Sequence, residues 1–355
     1  MITFRGHVNH SRVSGLSALL FVAAFPGCNR KRNSAPPQPS TTAQAELPAA
    51  TTARATPGPV QTEFRNVDFH VDSGAVLHIR RLRGELARTH ADVPPTFDDA
   101  SSFKFKMSSG LVSIAPGDLA ALMNHSVFNY PDAPLRDLKI SVVGNRLKQE
   151  GTLRKGIGIP FQIEGVLSAT PDGMVRLHST GIKSAHLPVK GLMDLLGVKL
   201  AAVVNLHESQ GMRIDGDDVI LNPNYMMPPP GIEGKVSAAR IENGQVVLVF
   251  GTEGGQNGED GRPLPLPDPS ARNYMYFRGG TLRFGKLTMV DSDLQIVDMH
   301  PGDPLDFDLT QYNRQLVAGY SKSTATGGLI TFMPDLYRLG STKVSSARGQ
   351  SSRSR

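Results

Sequence analysis

The chain has 355 residues, a net charge of +6, one cysteine and no tryptophan. Residues 1–62 carry +5 and residues 340–355 carry +4, which leaves −3 for residues 63–339; this argues against a body that reads nucleic acid and assigns the basicity to the ends. A single cysteine excludes an internal disulfide framework, and residues 63–339 are enough for one large domain or two smaller ones.

In chain order, Arg5 and Arg12 precede an apolar run over residues 16–25, followed by Pro26-Gly27-Cys28. A basic stretch, a short apolar stretch and a small residue before a cysteine form an export-signal pattern. Ten helical residues reach ~15 Å against a ~30 Å hydrocarbon core, too short for a permanent span. The layout resembles the bacterial lipoprotein signal. That resemblance implies a signal peptide over residues 1–28, lipidation of Cys28 and anchoring to a membrane on the periplasmic side of the cell envelope. Gly27 and Cys28 fit the motif, whereas Phe25 and Pro26 depart from it, and an ordinary secretory leader is the plainer alternative. By resemblance to enterobacterial lipoproteins, Asn29 permits outer-membrane sorting. Residues 29–62 are rich in Pro, Ala, Ser, Thr and Gln, with few large apolar side chains to offset the entropy of ordering, and read as an extended tether.

From residue 63 onward, period-two alternation predicts strands. Residues 64–71 place Val67, Phe69 and Val71 on one face, and residues 75–82, 103–107 and 111–114 continue in short pieces. Longer strands are expected at 138–143, 146–153, 157–167 and 175–182, with turn signals at Gly144-Asn145 and Pro171-Asp172-Gly173. Two segments have helical spacing instead. Residues 116–124 carry Leu119, Leu122 and Met123, with Ser113 as a candidate cap; residues 188–200 are apolar over more than half the circumference and must be buried.

Strands resume at 212–221, 234–241 and 245–250, the last two joined through Glu242-Asn243-Gly244. Residues 251–271 form a Gly/Asp/Pro-rich connection, a boundary or a mobile loop. Beyond it come strands at 274–284 and 286–297, a helix at 309–320 with Tyr312, Leu316, Val317 and Tyr320 inward, and a strand at 329–333; residues 340–355 read as a disordered basic tail. The expected fold class is α+β: a long curved antiparallel β-meander over residues 63–250, packed around one or two amphipathic helices, with a C-terminal β-rich extension over 272–339.

The order of a short strand at 110–114, the helix at 116–124, paired strands around 138–142 and 146–153, and the long strand at 159–167 resembles the LmeA-like phospholipid-binding proteins of bacterial envelopes. More distantly it resembles AsmA-type and tubular lipid-binding proteins. The resemblance covers residues 64–250 and rests on element order. It implies a curved sheet wrapped around a helix with acyl chains in the groove between them. The lining residues would then be Leu119, Leu122 and Met123 from the first helix and Phe161 and Ile163 from the long strand. Leu192, Met193 and Leu196 would join them from the second helix. Ordinary core is the alternative for all eight. Met226-Met227-Pro228-Pro229-Pro230 adds an adaptable apolar patch or a rigid packed turn.

The motifs of catalysis are sparse: no Gly-x-Ser-x-Gly, no His-Glu-x-x-His and no phosphate-cradling loop. Asp215-Gly216-Asp217-Asp218 has the oxygen density of a calcium loop but no downstream Glu, so a hairpin turn is expected. Asp291, Asp293 and Asp298 fit the solvent face of a strand. Asp298-Met299-His300-Pro301-Gly302-Asp303 sets a histidine among carboxylates, as a general base or metal site would, although a turn-rich loop explains the same residues. The sequence therefore predicts a non-catalytic, tethered envelope protein with no cofactor and no metal. Its expected partners are membrane lipids and, in a second reading, envelope proteins for which it is a scaffold. A hydrolase acting through His300 is the weakest of the three.

Overall fold

A computed structural model describes residues 58–71, 74–154, 158–184, 211–251 and 263–339. The chain is mostly β: two sheets of eleven and six strands, with two short α-helices among the described residues. The expected signal with Cys28, the helix at 188–200 and the basic tail lie outside the described residues, as does the tether up to residue 57.

The single meander expected over residues 63–250 is divided between the two sheets, and the smaller sheet is its middle part. Its strands are β4 (Leu135–Val143), β5 (Arg146–Leu153), β6 (Ile159–Ala169), β7 (Val175–Ser184), β8 (Met212–Asp215) and β9 (Asp218–Leu221). They pair antiparallel in the order β4-β5-β6-β7-β9-β8. Gly144 at φ +62° and Gly173 at φ +88° occupy the two turns that the sequence marks. Asp215–Asp218 is a plain hairpin turn around Gly216.

The larger sheet mixes both halves of the chain. It contains β1 (Val60–His70), β2 (Val76–Arg88), β3 (Phe103–Ile114), β10 (Gly231–Glu233), β11 (Val236–Glu242) and β12 (Gln245–Phe250). The C-terminal part adds β13 (Tyr274–Phe284), β14 (Leu287–Asp298), β15 (Leu305–Asp308), β16 (Tyr320–Ser323) and β17 (Leu329–Met333). The order is β11-β12-β3-β2-β1-β13-β14-β17-β16, with β10 beside β3 and β15 beside β1. Residues 272–339, which the sequence leaves open as a domain of their own or the completion of the first sheet, join the larger sheet: β13 pairs directly with β1. Nine aromatic rings secure that seam, with Phe97 5.3 Å from both Phe103 and Phe277 and 5.1 Å from Phe284. Such pairs add roughly 0.5–1.5 kcal/mol each beyond their burial. The tether also ends sooner than expected, because Val60 and Thr62 are already buried in β1.

The fragments expected at 75–82, 103–107 and 111–114 are parts of two long strands whose alternation changes phase midway. In β1 the buried set runs Val60, Thr62, Phe64 and then Val67, Phe69, with Asn66 at φ +52° between them. In β2 the phase changes between Ile79 and Leu82, and in β3 between Met107 and Val112. The β2–β3 register shifts at the same places, between Ile79 and Arg81 and between Arg83 and Gly84. Each shift is a β-bulge, which bends the strand and re-aims its side chains while both segments keep facing the core. Gly84 is obligatory here, because a Cβ would collide with the Lys106 carbonyl oxygen.

Helix α1 (Pro116–Leu122) starts with proline in its first turn and continues into a π-turn, Met123–Val127, in which the Phe128 amide donates to the Met123 carbonyl. Ser113 does not cap it. The N-cap is Ala115, and Ser113 lies in β3 with its hydroxyl buried and unpartnered. Asn124 reaches β4 instead: its amide donates to the Leu138 carbonyl at 2.8 Å and its oxygen accepts from the Leu138 amide at 3.0 Å. Those are the backbone groups beside the β4–β5 register shift between Arg136 and Lys139.

Helix α2 (Tyr312–Ala318) is shorter than predicted and faces differently. Tyr312 is buried, but Val317 is 85% and Tyr320 48% exposed. The inward position belongs to Gln315, whose amide donates to the Asp306 and Pro334 carbonyls and accepts from the Asp308 amide.

Candidate ligand cavity between the two sheets

The two sheets share one apolar core, and within it lies a cavity of about 110 Å³. Its wall comprises 23 residues, none with a polar side chain. The larger sheet contributes Phe69, Leu77, Ile79 and Leu82 from β1 and β2, Phe105, Met107, Val112 and Ile114 from β3, and Val246, Leu248 and Phe250 from β12. The bulges account for this density of side chains. Because β2 and β3 change phase, Ile79 and Leu82 both point inward, as do Met107 and Val112. The smaller sheet closes the space with Leu147, Leu167, Val175 and Leu221.

Leu119 and Leu122 of α1 reach this cavity. Met123, Phe161 and Ile163 are buried in the same core but do not line it. Leu192, Met193 and Leu196 lie outside the described residues. Met226, Met227 and Pro230, read in the sequence as a separate patch, form part of the same wall. They follow a short 3₁₀ turn, Pro223–Tyr225, capped by the Asn222 side chain accepting from the Asn224 amide. The contribution of β2, β3 and β12 was not foreseen. Its signal is the apolar content of those strands, visible only once their bulges are known.

Chemically the cavity offers dispersion and desolvation. A water inside would find no polar side-chain partner, so the space is suited to remain dry. For scale, an engineered apolar cavity of ~150 Å³ in another protein takes up benzene. Filling 110 Å³ of void returns about 2–3 kcal/mol at the usual ~24 cal/mol per Å³. Three methionines in the wall, Met107, Met226 and Met227, can repack around an entering group, since the thioether chain is unbranched and polarizable.

The acidic groups weighed in the sequence separate. Asp291 sits at φ +54° in an irregularity of β14, and Asp293 accepts the Tyr276 hydroxyl at 2.8 Å. Asp298 is not on a solvent face: it is buried, accepting from Asn273 Nδ2 at 2.9 Å and the His300 amide at 2.7 Å. Burial raises its pKa, and neighbouring Asp335 and Asp303 add to the shift. Asp303 points to the Tyr337 hydroxyl rather than to His300. Residues 263–268 of the connection between β12 and β13 are tied down, with the Leu264 amide donating to Glu63 and the Asp268 amide to Gln295. No helix among the described residues is long and apolar enough to cross a membrane. Compared with known proteins, the chain matches no family model, no curated protein and no solved structure.

Proposed function

We propose that this is an exported envelope protein, tethered to a membrane through Cys28, that binds a phospholipid or another apolar ligand by lodging a hydrocarbon end between its two sheets. The observation that carries the reading is the wall of the cavity: 23 residues from both sheets, α1 and the Met226–Met227 loop, without one polar side chain. Each buried CH₂ contributes roughly 0.8 kcal/mol, so a chain end binds without a polar motif, and the ligand's polar group stays outside. The resemblance in element order to LmeA-like proteins points the same way, and so does a body whose net charge of −3 does not favour nucleic acid. The role is binding and transfer rather than catalysis.

A second reading, an envelope scaffold with a nearly filled core, is favoured by one observation: at about 110 Å³ the cavity is smaller than the ~150 Å³ engineered cavity that takes up benzene. Native mass spectrometry of the chain produced in a bacterial periplasm separates the two, followed by solvent extraction of what copurifies. A stoichiometric lipid adduct supports the carrier. A clean unliganded mass that also takes up no added fatty acid supports the scaffold and sinks the carrier.

A further inference from the structure

A second cluster lies away from the cavity, at the ends of two strands. β14 and β17 are parallel neighbours with Asp298 opposite Met333, and the Met299 amide donates to the Met333 carbonyl at 3.0 Å. Asp298 therefore ends one strand, His300 follows it by two residues, and Asp335 follows the end of the other by two. Each offers one ligand atom, and the three atoms lie within 4.8 Å of one another. Asp298 is 4% exposed and Asp335 0%.

The histidine supplies an independent observation. His300 Nδ1 is shut off from solvent yet makes no hydrogen bond. It stands 3.6 Å from Asp335 Oδ2, too far for a hydrogen bond. Two ligands each ~2.0–2.1 Å from one tetrahedral ion stand about 3.4 Å apart, so 3.6 Å is close to the separation of a shared cation. The carboxylates are also oriented by neighbouring groups, as the ligands of a metal are, and on Asp335 the Arg338 guanidinium shares Oδ2, the oxygen that faces His300, while the Asp306 amide holds Oδ1. Asp298 accepts from Asn273 Nδ2 and from the His300 amide. Asp335 accepts from Arg338 Nε at 2.9 Å and from the Asp306 amide at 3.4 Å. Arg338 offsets one of the two buried negative charges. The other has amide donors but no formal countercharge in direct contact, a deficit a cation at His300 would remove.

We propose that Asp298, His300 and Asp335 bind one divalent transition-metal ion of the zinc class, which staples the loop after β14 to the loop after β17. An imidazole with two carboxylates suits zinc better than magnesium or calcium, which take all-oxygen shells. Three protein ligands leave a fourth position for water. The site is independent of the lipid reading, since none of its residues lines the cavity.

The test is equilibrium dialysis of the untagged chain, stripped with chelator, against zinc and separately against magnesium. One zinc per chain and no magnesium is expected, with zinc affinity falling at least tenfold in His300→Ala and in Asp298→Asn. His178→Ala should bind normally, because that imidazole pairs with Asp218 on the other sheet. Cobalt in place of zinc should show the visible absorption of a four-coordinate site. His300→Gln keeps a polar side chain in the loop, so a fold-preserving loss of binding, checked by circular dichroism, is attributable to the ligand. No zinc bound at about millimolar concentration, or equal affinity in wild type and both His300 variants, overturns the proposal.

Discussion

Adding one methylene to the cavity wall, Val246→Leu, should stabilise the protein, although enlarging a buried side chain normally does the opposite. Val246 is buried in β12, paired with Ile241 on one side and Ile114 on the other, and its side chain faces the cavity. In a filled core the extra methylene forces strain and costs ~1–3 kcal/mol. Beside about 110 Å³ of empty apolar space it instead gains the transfer energy of one CH₂, about 0.8 kcal/mol. Filling the whole void is worth about 2–3 kcal/mol, so one methylene recovers about a third of it. Urea unfolding is the assay: the midpoint should rise at unchanged slope. Val67→Leu is the control, since Val67 is buried in β1 and does not line the cavity; its midpoint should fall. If Val246→Leu destabilises as much as Val67→Leu, the void is not there and the binding argument fails with it.

Gly84→Ala places a methyl against the Lys106 carbonyl at the β2–β3 bulge and should cost about 1–3 kcal/mol, read as a lower urea midpoint. Asn124→Ala strips the Leu138 amide and carbonyl of their side-chain partner; each buried unsatisfied group costs ~1–3 kcal/mol, so the melting temperature should fall by several degrees, and a drop within error would contradict the clamp. His70 at the end of β1 and His78 on β2 have pKa values raised above 6.5, chiefly by hydrogen bonds to Asp306 and Asp68. A histidine whose pKa is raised by folding adds stability that is complete below about 6.5 and is lost as pH rises through the raised value. Burial works to raise the Asp306 pKa, but the His70 hydrogen bond and charge together with the Leu336 and Tyr337 amides outweigh it and hold it below 3.8, so its contribution is lost instead as pH falls into the acid range. Thermal unfolding between about pH 6 and pH 9 should show stability declining, and His70→Gln should flatten that decline; an unchanged slope would contradict the pairing.

The hairpins were legible because their turns are chemical: Gly144, Gly173, Asn243 and Gly244 adopt positive φ where the sequence marks the turns. The long strands were not, because a bulge reverses the parity that pattern reading depends on. In β3 the buried apolar set passes from Met107 to Val112, five residues on, so one strand reads as the two fragments 103–107 and 111–114. The pairing of β1 with β13 joins residues some two hundred positions apart and is set by aromatic packing that no local signal announces. The inward face of α2 is only half legible: Tyr312 is buried and Leu316 packs against the core, but Val317 and Tyr320 are exposed, and Gln315, polar in sequence, takes an inward position because its amide is satisfied by three backbone groups. For the cavity, Leu119 and Leu122 were accessible from helical spacing, whereas the wall from β2 and β3 depended on the bulges. For the second cluster, Asp298 and His300 are two residues apart in sequence, but Asp335 arrives only because β17 runs parallel to β14.

The most direct measurement of the central claim is methyl-resolved NMR of the chain with labelled methionines, titrated with a single-chain fatty acid. Occupation of the cavity predicts that the Met107, Met226 and Met227 methyls shift together and saturate at one equivalent, while Met275 and Met333, buried away from the cavity, stay in place. Shifts confined to exposed Met299, or no shift at all, would contradict an apolar ligand between the sheets.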